Sequence, residues 1–377
     1  MARRETWHIF CTVVDNFGDI GVTWRLARQL IREQGRSVTL WVDDLESFSR
    51  IEPAIDPSKT YQQVGGANIR RWHSAFPDVE PADVVIEAFA CHLPEKYVMR
   101  MAKQTPRAAW INLEYLCAEK WIEESHMLPS PHPHLPLTKY FFFPGFTAKT
   151  GGLLRERDVI ARRDALWADA KAQRDFWASI DVPADTGDAV RVSLFGYKNS
   201  GLASLLDAWV GGPNPVLCLL PESPLAQDAQ AHLGSTSRRL ERGQLAIHIL
   251  PFMPQDDYDT LLALCDINFV RGEDSFLRAQ WAGKPFIWHI YPQADEAHLP
   301  KLEAFLDLYT AHLDPASTAR VKYAWHHWNL GQDMRAPWRD FAAGRGVLEP
   351  YGADWASRLA ASPSLAEKLA DFVDKLL

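Results

Sequence analysis

The chain has 377 residues, 47% of them apolar and 23% charged, with a formal net charge of −8. These proportions predict a sizeable buried core, and the length predicts two or three domains of roughly 150 residues each. The acidic balance argues against general nucleic-acid binding, which shows a basic surplus, and no run approaches the ~18 apolar residues of a membrane span.

The N-terminus, Met1-Ala-Arg-Arg-Glu-Thr-Trp7, lacks the apolar core of a signal peptide and enters a strand almost at once. The cytoplasm is therefore the expected compartment. Apolar runs predict strands at Trp7 to Val14, Val38 to Val42, Ile69 to Trp72, Val84 to Ala88, Ala108 to Asn112 and Tyr140 to Phe143. The first helix is expected from about Val22 to Gln34, with Val22, Leu26, Leu30 and Ile31 on one face and Arg25, Arg28, Arg32 and Glu33 off it. Such alternation implies a mostly parallel sheet covered on both sides.

A less regular stretch then runs from Pro144 to Asp188, and the domain boundary is expected there. The alternation restarts with strand Val190 to Phe195, helix Leu202 to Val210, strand Pro215 to Leu220 and helix Pro224 to Leu233. Strand Leu245 to Leu250, helix Asp256 to Cys265, strand Ile267 to Val270, helix Ser275 to Ala282 and strand Phe286 to His289 follow, and the pattern is helical from Asp295 onward. The expected division is a first α/β domain over 1–150, a linker and connecting helix over 151–188 and a second α/β domain over 189–360. A C-terminal helix over 361–377 is expected to pack back toward the first domain.

Two loops concentrate the chemistry. Asp15-Asn-Phe-Gly-Asp19-Ile-Gly21 follows the first strand, and Arg271-Gly-Glu-Asp-Ser275 follows Ile267 to Val270. Loops that leave a strand and open a helix hold ligands, because the strand fixes the loop and the helix offers unpaired N–H groups. Asp19 as a helix cap would explain one aspartate and leave the other idle, whereas a carboxylate in such a loop suits an acceptor-side base. In the second loop, Asp274 or Ser275 would cap the helix while Arg271 pairs with Glu273. Alternatively, the helix start and the Ser275 hydroxyl would bind a diphosphate, Arg271 would offset leaving-group charge and Glu273 would point toward the ligand. Acids in one loop and anion-binding groups in the other point to a transferase using a phosphate-activated donor.

Other clusters read as structural. Asp257-Tyr-Asp259 precedes a helical apolar pattern, so its acids suit a helix start rather than a metal. His126, His132 and His134 match no zinc spacing. The five cysteines (Cys11, Cys91, Cys117, Cys218, Cys265) form no C-x-x-C pair, so neither a disulfide framework nor a zinc site is expected. Most of the fifteen tryptophans are expected in packing. G-x-G-x-x-G, G-x-S-x-G and the P-loop motif are all absent.

Four segments carry a resemblance: Ile9-Phe-Cys-x-Val-Val-Asp-Asn-Phe-Gly-Asp-Ile-Gly-Val-Thr-Trp-Arg-Leu-Ala-Arg, Pro251-Phe-Met-Pro-Gln, Arg271-Gly-Glu-Asp-Ser-Phe-x-Arg-Ala-Gln and Gly283-Lys-Pro-Phe-x-Trp-His-Ile-Tyr-Pro-Gln. Together they resemble the protein-arginine rhamnosyltransferases of bacterial elongation factor P, the EarP family, over nearly the whole chain. The resemblance implies an α/β GT-B glycosyltransferase fold, with two Rossmann-like domains facing a central cleft. It implies transfer of L-rhamnose from dTDP-β-L-rhamnose, with inversion and without metal or other cofactor, to an arginine in the first, KOW-like domain of elongation factor P. That modification would help ribosomes stalled at polyproline. It further implies Asp19 as general base, Asp15 as an essential partner and Glu273 as a second essential carboxylate. Asn16, Phe17, Gly18, Phe195, Tyr197, Phe252, Gln255, Arg271, Gly272, Asp274, Ser275 and Tyr291 would surround the donor. The competing readings are a small-molecule GT-B glycosyltransferase, a sugar-nucleotide epimerase, or a non-catalytic regulator that binds a nucleotide sugar. Three retained acids weigh against the regulator, since binding alone does not require them.

Overall fold

A computed structural model describes residues 5–15, 17–73, 76–293 and 296–377. The chain forms two compact units, one made of the described residues up to Arg157 together with Ala360–Leu377, the other of Asp158–Leu359. Each is built on one sheet.

The first sheet contains β1 (Thr6–Cys11), β2 (Ser37–Val42), β3 (Tyr61–Val64), β4 (Ala67–Arg71), β5 (Val84–Ala88), β6 (Ala109–Leu113), β7 (Pro129–Pro131) and β8 (Thr138–Phe142). Their order is β3-β4-β2-β1-β5-β6-β8-β7. The interior pairs are parallel, and only the edge strands β3 and β7 run antiparallel to their neighbours. All five residues of β5 are buried, as are all five of β6. Near-continuous apolar runs of this kind, broken here only by Glu87 in β5 and Asn112 in β6, suit parallel strands covered on both faces. The chain winds from β1 out to β4 in one direction and from β5 out to β8 in the other, so the strand order reverses between β1 and β5. That reversal opens a crevice beyond the carboxyl ends of those two strands.

The second sheet repeats the scheme with β9 (Val190–Leu194), β10 (Val216–Pro221), β11 (Arg239–Arg242), β12 (Leu245–Leu250), β13 (Ile267–Arg271) and β14 (Phe286–His289). Its order is β11-β12-β10-β9-β13-β14, with β11 alone antiparallel, so the reversal falls between β9 and β13. The expected strands are present within a few residues of their predicted ends. β3, β7 and β11 were not predicted from sequence. Their sequences, Tyr-Gln-Gln-Val, Pro-Ser-Pro and Arg-Leu-Glu-Arg, are polar or proline-bearing and largely solvent-facing, as edge strands are.

Two further expectations need correction. The first helix is Gly18–Arg32, beginning four residues earlier than predicted, and of the residues expected off its apolar face Arg32 is exposed while Arg25 and Arg28 are buried. Arg25 is 1% exposed and Arg28 is 9% exposed. The returning helix Leu365–Leu376, held at its start by a capping box between Ser364 and Glu367, packs against this helix from within the same unit. Arg25 lies 3.8 Å from Glu156, and Gln29 donates through Nε2 to the Arg155 carbonyl and to Ser364 Oγ. The second concerns the expected linker and connecting helix over 151–188, which divides between the two units at Arg157 and Asp158. Leu153 and Leu154 are buried in the first unit, where Leu365 N donates to the Leu153 carbonyl at 2.8 Å. Helices Val159–Ala168 and Ala170–Ser179 belong to the second unit, where Trp177 packs among Val182, Leu217, Leu219 and Leu250.

The helical tail consists of Leu299–Thr310, Pro315–Asn329, Arg335–Ala343, Arg345–Ala360 and Leu365–Leu376; the predicted start at Asp295 lies outside the described residues. Trp7, Trp24, Trp41, Trp209, Trp281, Trp325 and Trp328 are all fully buried, which places them in packing. The five cysteines are buried thiols outside any disulfide. Among the described residues no helix is long and apolar enough to cross a membrane.

Candidate active site

In the first unit, the crevice beyond β1 and β5 is lined by the loop that carries Asp15 and Asp19. Phe17 occupies the N-cap position of the helix, and Asp19 is the second helical residue. Its carboxylate turns back onto the loop, where Oδ2 accepts from Val14 N at 2.8 Å and from Asp15 N at 2.9 Å. Oδ1 accepts from the Tyr115 hydroxyl at 3.1 Å. These donors occupy three of the roughly four lone-pair directions of a carboxylate, and they orient a group that is only 2% exposed. Gly18 lets Asp15 pack closely, since a Cβ there would lie 2.8 Å from Asp15 Oδ2 and push that side chain aside. Gly18 N donates to the Asp15 carbonyl at 2.6 Å. Asn16 lies outside the described residues.

Motif reading did not single out three neighbours of this loop. Tyr115 follows β6, and its ring stacks on Phe89 after β5, centroids 4.4 Å apart at 14°. Phe89 and the adjacent Ala90 both hold left-handed backbone, φ 58° and 56°. That conformation costs side-chain-bearing residues of order 1–3 kcal/mol each and persists where its surroundings impose it. Asp43, after β2, accepts from Val13 N at 2.9 Å, and burial raises its carboxyl pKa. The signal that could have found them is position: each stands just past the carboxyl end of a predicted strand.

In the second unit, the reversal between β9 and β13 gathers most of the expected donor residues. The Arg271 guanidinium carbon lies 4.5 Å from the Phe195 ring centroid and 4.6 Å from that of Tyr197. Tyr197 makes an edge contact with Tyr291 at 5.4 Å. Its backbone N–H donates to His289 Nδ1 at 3.3 Å. Burial first, then Arg271 and His298, lower the His289 pKa to about 3, so the ring stays neutral and can accept. Gly272 adopts φ 59°, donates to the His289 carbonyl and accepts from Trp288 Nε1 at 2.7 Å. Gln255 Nε2 donates to Asp274 Oδ2 at 3.0 Å, while Phe252 lies half-buried in the turn that leaves β12.

The helix after this loop begins at Asp274, with Glu273 at the N-cap position, so neither Asp274 nor Ser275 is the cap that the sequence suggested. Ser275 Oγ accepts from Arg271 N at 3.0 Å and donates to the Arg271 carbonyl. The hydroxyl is therefore engaged inside the turn, and its influence on a ligand passes through the loop it holds. Ser275→Ala is expected to lower stability by about 1–3 kcal/mol, the cost of stranding buried backbone groups. Thermal unfolding of the variant checks this, and an unchanged midpoint would contradict it. Asp259 forks onto Arg278, with contacts at 3.0 and 2.7 Å, which gives that acid a structural partner. His126 Nδ1 accepts from Phe143 N, and His132 Nδ1 accepts from His134 N and Leu135 N, so both rings serve local structure.

Two doubly wound units, each with polar loops at its strand-order reversal, are the build of a GT-B glycosyltransferase. The chain matches the family described as Elongation-Factor P (EF-P) rhamnosyltransferase EarP over residues 7–374. It is 47% identical over 373 residues to the protein-arginine rhamnosyltransferase of Pseudomonas putida KT2440, covering 98% of each chain. It is 45% identical to that of Pseudomonas aeruginosa PAO1, covering 97% of this chain and 98% of the other. A solved structure concerned with EarP-mediated arginine glycosylation of translation elongation factor EF-P superposes with a TM-score of 0.70 at 34% identity, covering 99% of this chain and 100% of that one. The chain belongs to the EarP family of protein-arginine rhamnosyltransferases and is an enzyme of the glycosyltransferase class. That membership separates the transferase reading from the epimerase and regulator alternatives.

Proposed function

We propose that this enzyme moves L-rhamnose from dTDP-β-L-rhamnose to an arginine of the first, KOW-like domain of elongation factor P, with inversion and without a metal ion, in the cytoplasm. The modified factor would then act on ribosomes stalled at polyproline. The observation that carries this reading is the Asp19 carboxylate, oriented by Val14 N, Asp15 N and the Tyr115 hydroxyl at the strand-order reversal of the first unit.

An arginine is a poor nucleophile because its guanidinium stays protonated, with a pKa above ~12. Carboxylates can hold the guanidinium fork and take a proton as nitrogen bonds to the anomeric carbon. Asp19 takes that proton, with Asp15 beside it, while the C–O bond to dTDP breaks and the diphosphate leaves with the electron pair. On the second unit, the leaving diphosphate needs positive charge. Arg271, set on Phe195 and Tyr197, supplies it together with the N–H groups opening the helix at Asp274. Glu273, at that helix start, is the third carboxylate of the reading.

The test is to incubate the chain with dTDP-β-L-rhamnose and elongation factor P and weigh the acceptor, which should gain one deoxyhexose. Activity is expected to survive EDTA, because Arg271 and the helix start carry the leaving-group charge; loss with chelator would instead implicate a metal. The folded domain is expected to react far faster than a loop peptide containing the same arginine, since aligning a guanidinium with the anomeric carbon requires a preordered acceptor. A peptide would have to pay the ordering entropy on binding. Equal rates on peptide and domain would place specificity elsewhere.

A further inference from the structure

The Asp19 carboxylate owes its orientation partly to a residue contributed by a distant strand end. Tyr115 reaches it from beyond β6, 96 positions away in sequence, and donates to Oδ1 at 3.1 Å. The other two donors, Val14 N and Asp15 N, both bind Oδ2, so Tyr115 orients the oxygen they leave alone. Tyr115 is itself anchored. Glu114 N donates to the Phe142 carbonyl at 2.9 Å, and Phe89 N donates to the Leu113 carbonyl at 2.7 Å, tying the ends of β5, β6 and β8 together. The Phe89 ring then stacks flat against Tyr115. Phe89 and Ala90 keep left-handed backbone there although both carry a Cβ. Backbone of that kind persists only where its surroundings over-determine it, and it clusters at functional sites. Tyr115 nevertheless remains 37% exposed, at the crevice where ligands of doubly wound sheets bind.

We propose that Tyr115 is a positioning residue for rhamnosyl transfer: its hydroxyl aims the Asp19 carboxylate, and the strained Phe89–Ala90 turn holds the tyrosine ring in place. The inference rests on the reading of Asp19 as the base. Tyr115→Phe keeps the ring stack and removes only the donor. It is expected to lower kcat by about ten- to a hundredfold, the range for losing a hydrogen bond to a charged group. The KM for acceptor and the affinity for dTDP are expected to stay within about twofold of the parent, while the thermal midpoint falls by a few degrees because a buried Asp19 oxygen loses its donor. Phe89→Leu, which loosens the ring from behind, is expected to lower kcat in the same sense by a smaller factor. A Tyr115→Phe enzyme as fast as the parent would overturn the proposal, as would a loss confined to KM or to stability. Asp19→Asn measured in the same series keeps the two readings apart. If Asp19→Asn turns over normally, the base assignment fails; if it is inactive while Tyr115→Phe is unimpaired, only the positioning role fails.

Discussion

Asp19→Asn is expected to reduce transfer by about three orders of magnitude or more, the upper part of the range for losing a general base, while leaving affinity for dTDP close to that of the parent. The geometry makes this a discriminating change. Asparagine keeps an oxygen that can accept from Val14 N and Asp15 N, and it presents its amide toward Tyr115, so the loop retains its main anchors. What disappears is the group able to take a proton from the acceptor, and the loss should therefore appear in kcat. Turnover followed by the mass of the acceptor, with calorimetric titration of dTDP as the binding control, checks both halves. Substantial remaining turnover would remove Asp19 from the base role. Asp15→Ala is expected to be severe as well, because the Asp15 carboxylate packs over Gly18 at the start of the helix that carries Asp19, and its loss would remove the second acid offered to the arginine.

Arg271→Ala is expected to weaken dTDP binding by about ten- to a hundredfold, corresponding to a charge-assisted contact of about 1.5–3 kcal/mol. The charge is not the only thing removed. The guanidinium lies within 4.6 Å of two ring centroids, so its loss also removes the group that the Phe195 and Tyr197 rings pack against. Arg271→Lys separates these contributions, since an ammonium retains the charge but neither the fork nor the area of the guanidinium against the rings. An intermediate affinity is expected for it. Calorimetry with dTDP alone is the measurement, and unchanged affinity in both variants would mean that the nucleotide lies elsewhere. Ser275→Ala is expected to weaken binding less than Arg271→Ala, because its hydroxyl acts through the Arg271 backbone.

The interior strands could be read from sequence because a strand buried in the sheet is mostly apolar, and Val84–Ala88 and Leu245–Leu250 match their predicted limits although each carries one polar residue, Glu87 and His248. The edge strands could not, since Tyr61–Val64 and Arg239–Arg242 face water and their pairing depends on a neighbour reached by a turn. Periodicity placed Arg25 and Arg28 off the apolar face, yet both are buried, on a helix that also receives a tail more than three hundred residues later, through Gln29 and Ser364. No local pattern reports that. The site divides in the same way. Asp15, Gly18 and Asp19 were legible because one short loop must turn, start a helix and carry acids. Arg271 to Ser275 were legible for the same reason.

The sequence by itself therefore determined the doubly wound α/β class, the strand-end position of both chemical loops and, through long motifs, the family. Only the tertiary structure decided what each loop residue does within its loop. It turned Ser275 inward to close the β13 turn, made Phe17 and Glu273 the N-cap residues, and brought Tyr115, Phe89 and Asp43 to the Asp15–Asp19 loop. The physical reason is that hydrophobic periodicity is a local property, set by which face of an element is dry. The partners of a carboxylate at a strand end are set by strand order, which places residues 30 and 96 positions apart side by side.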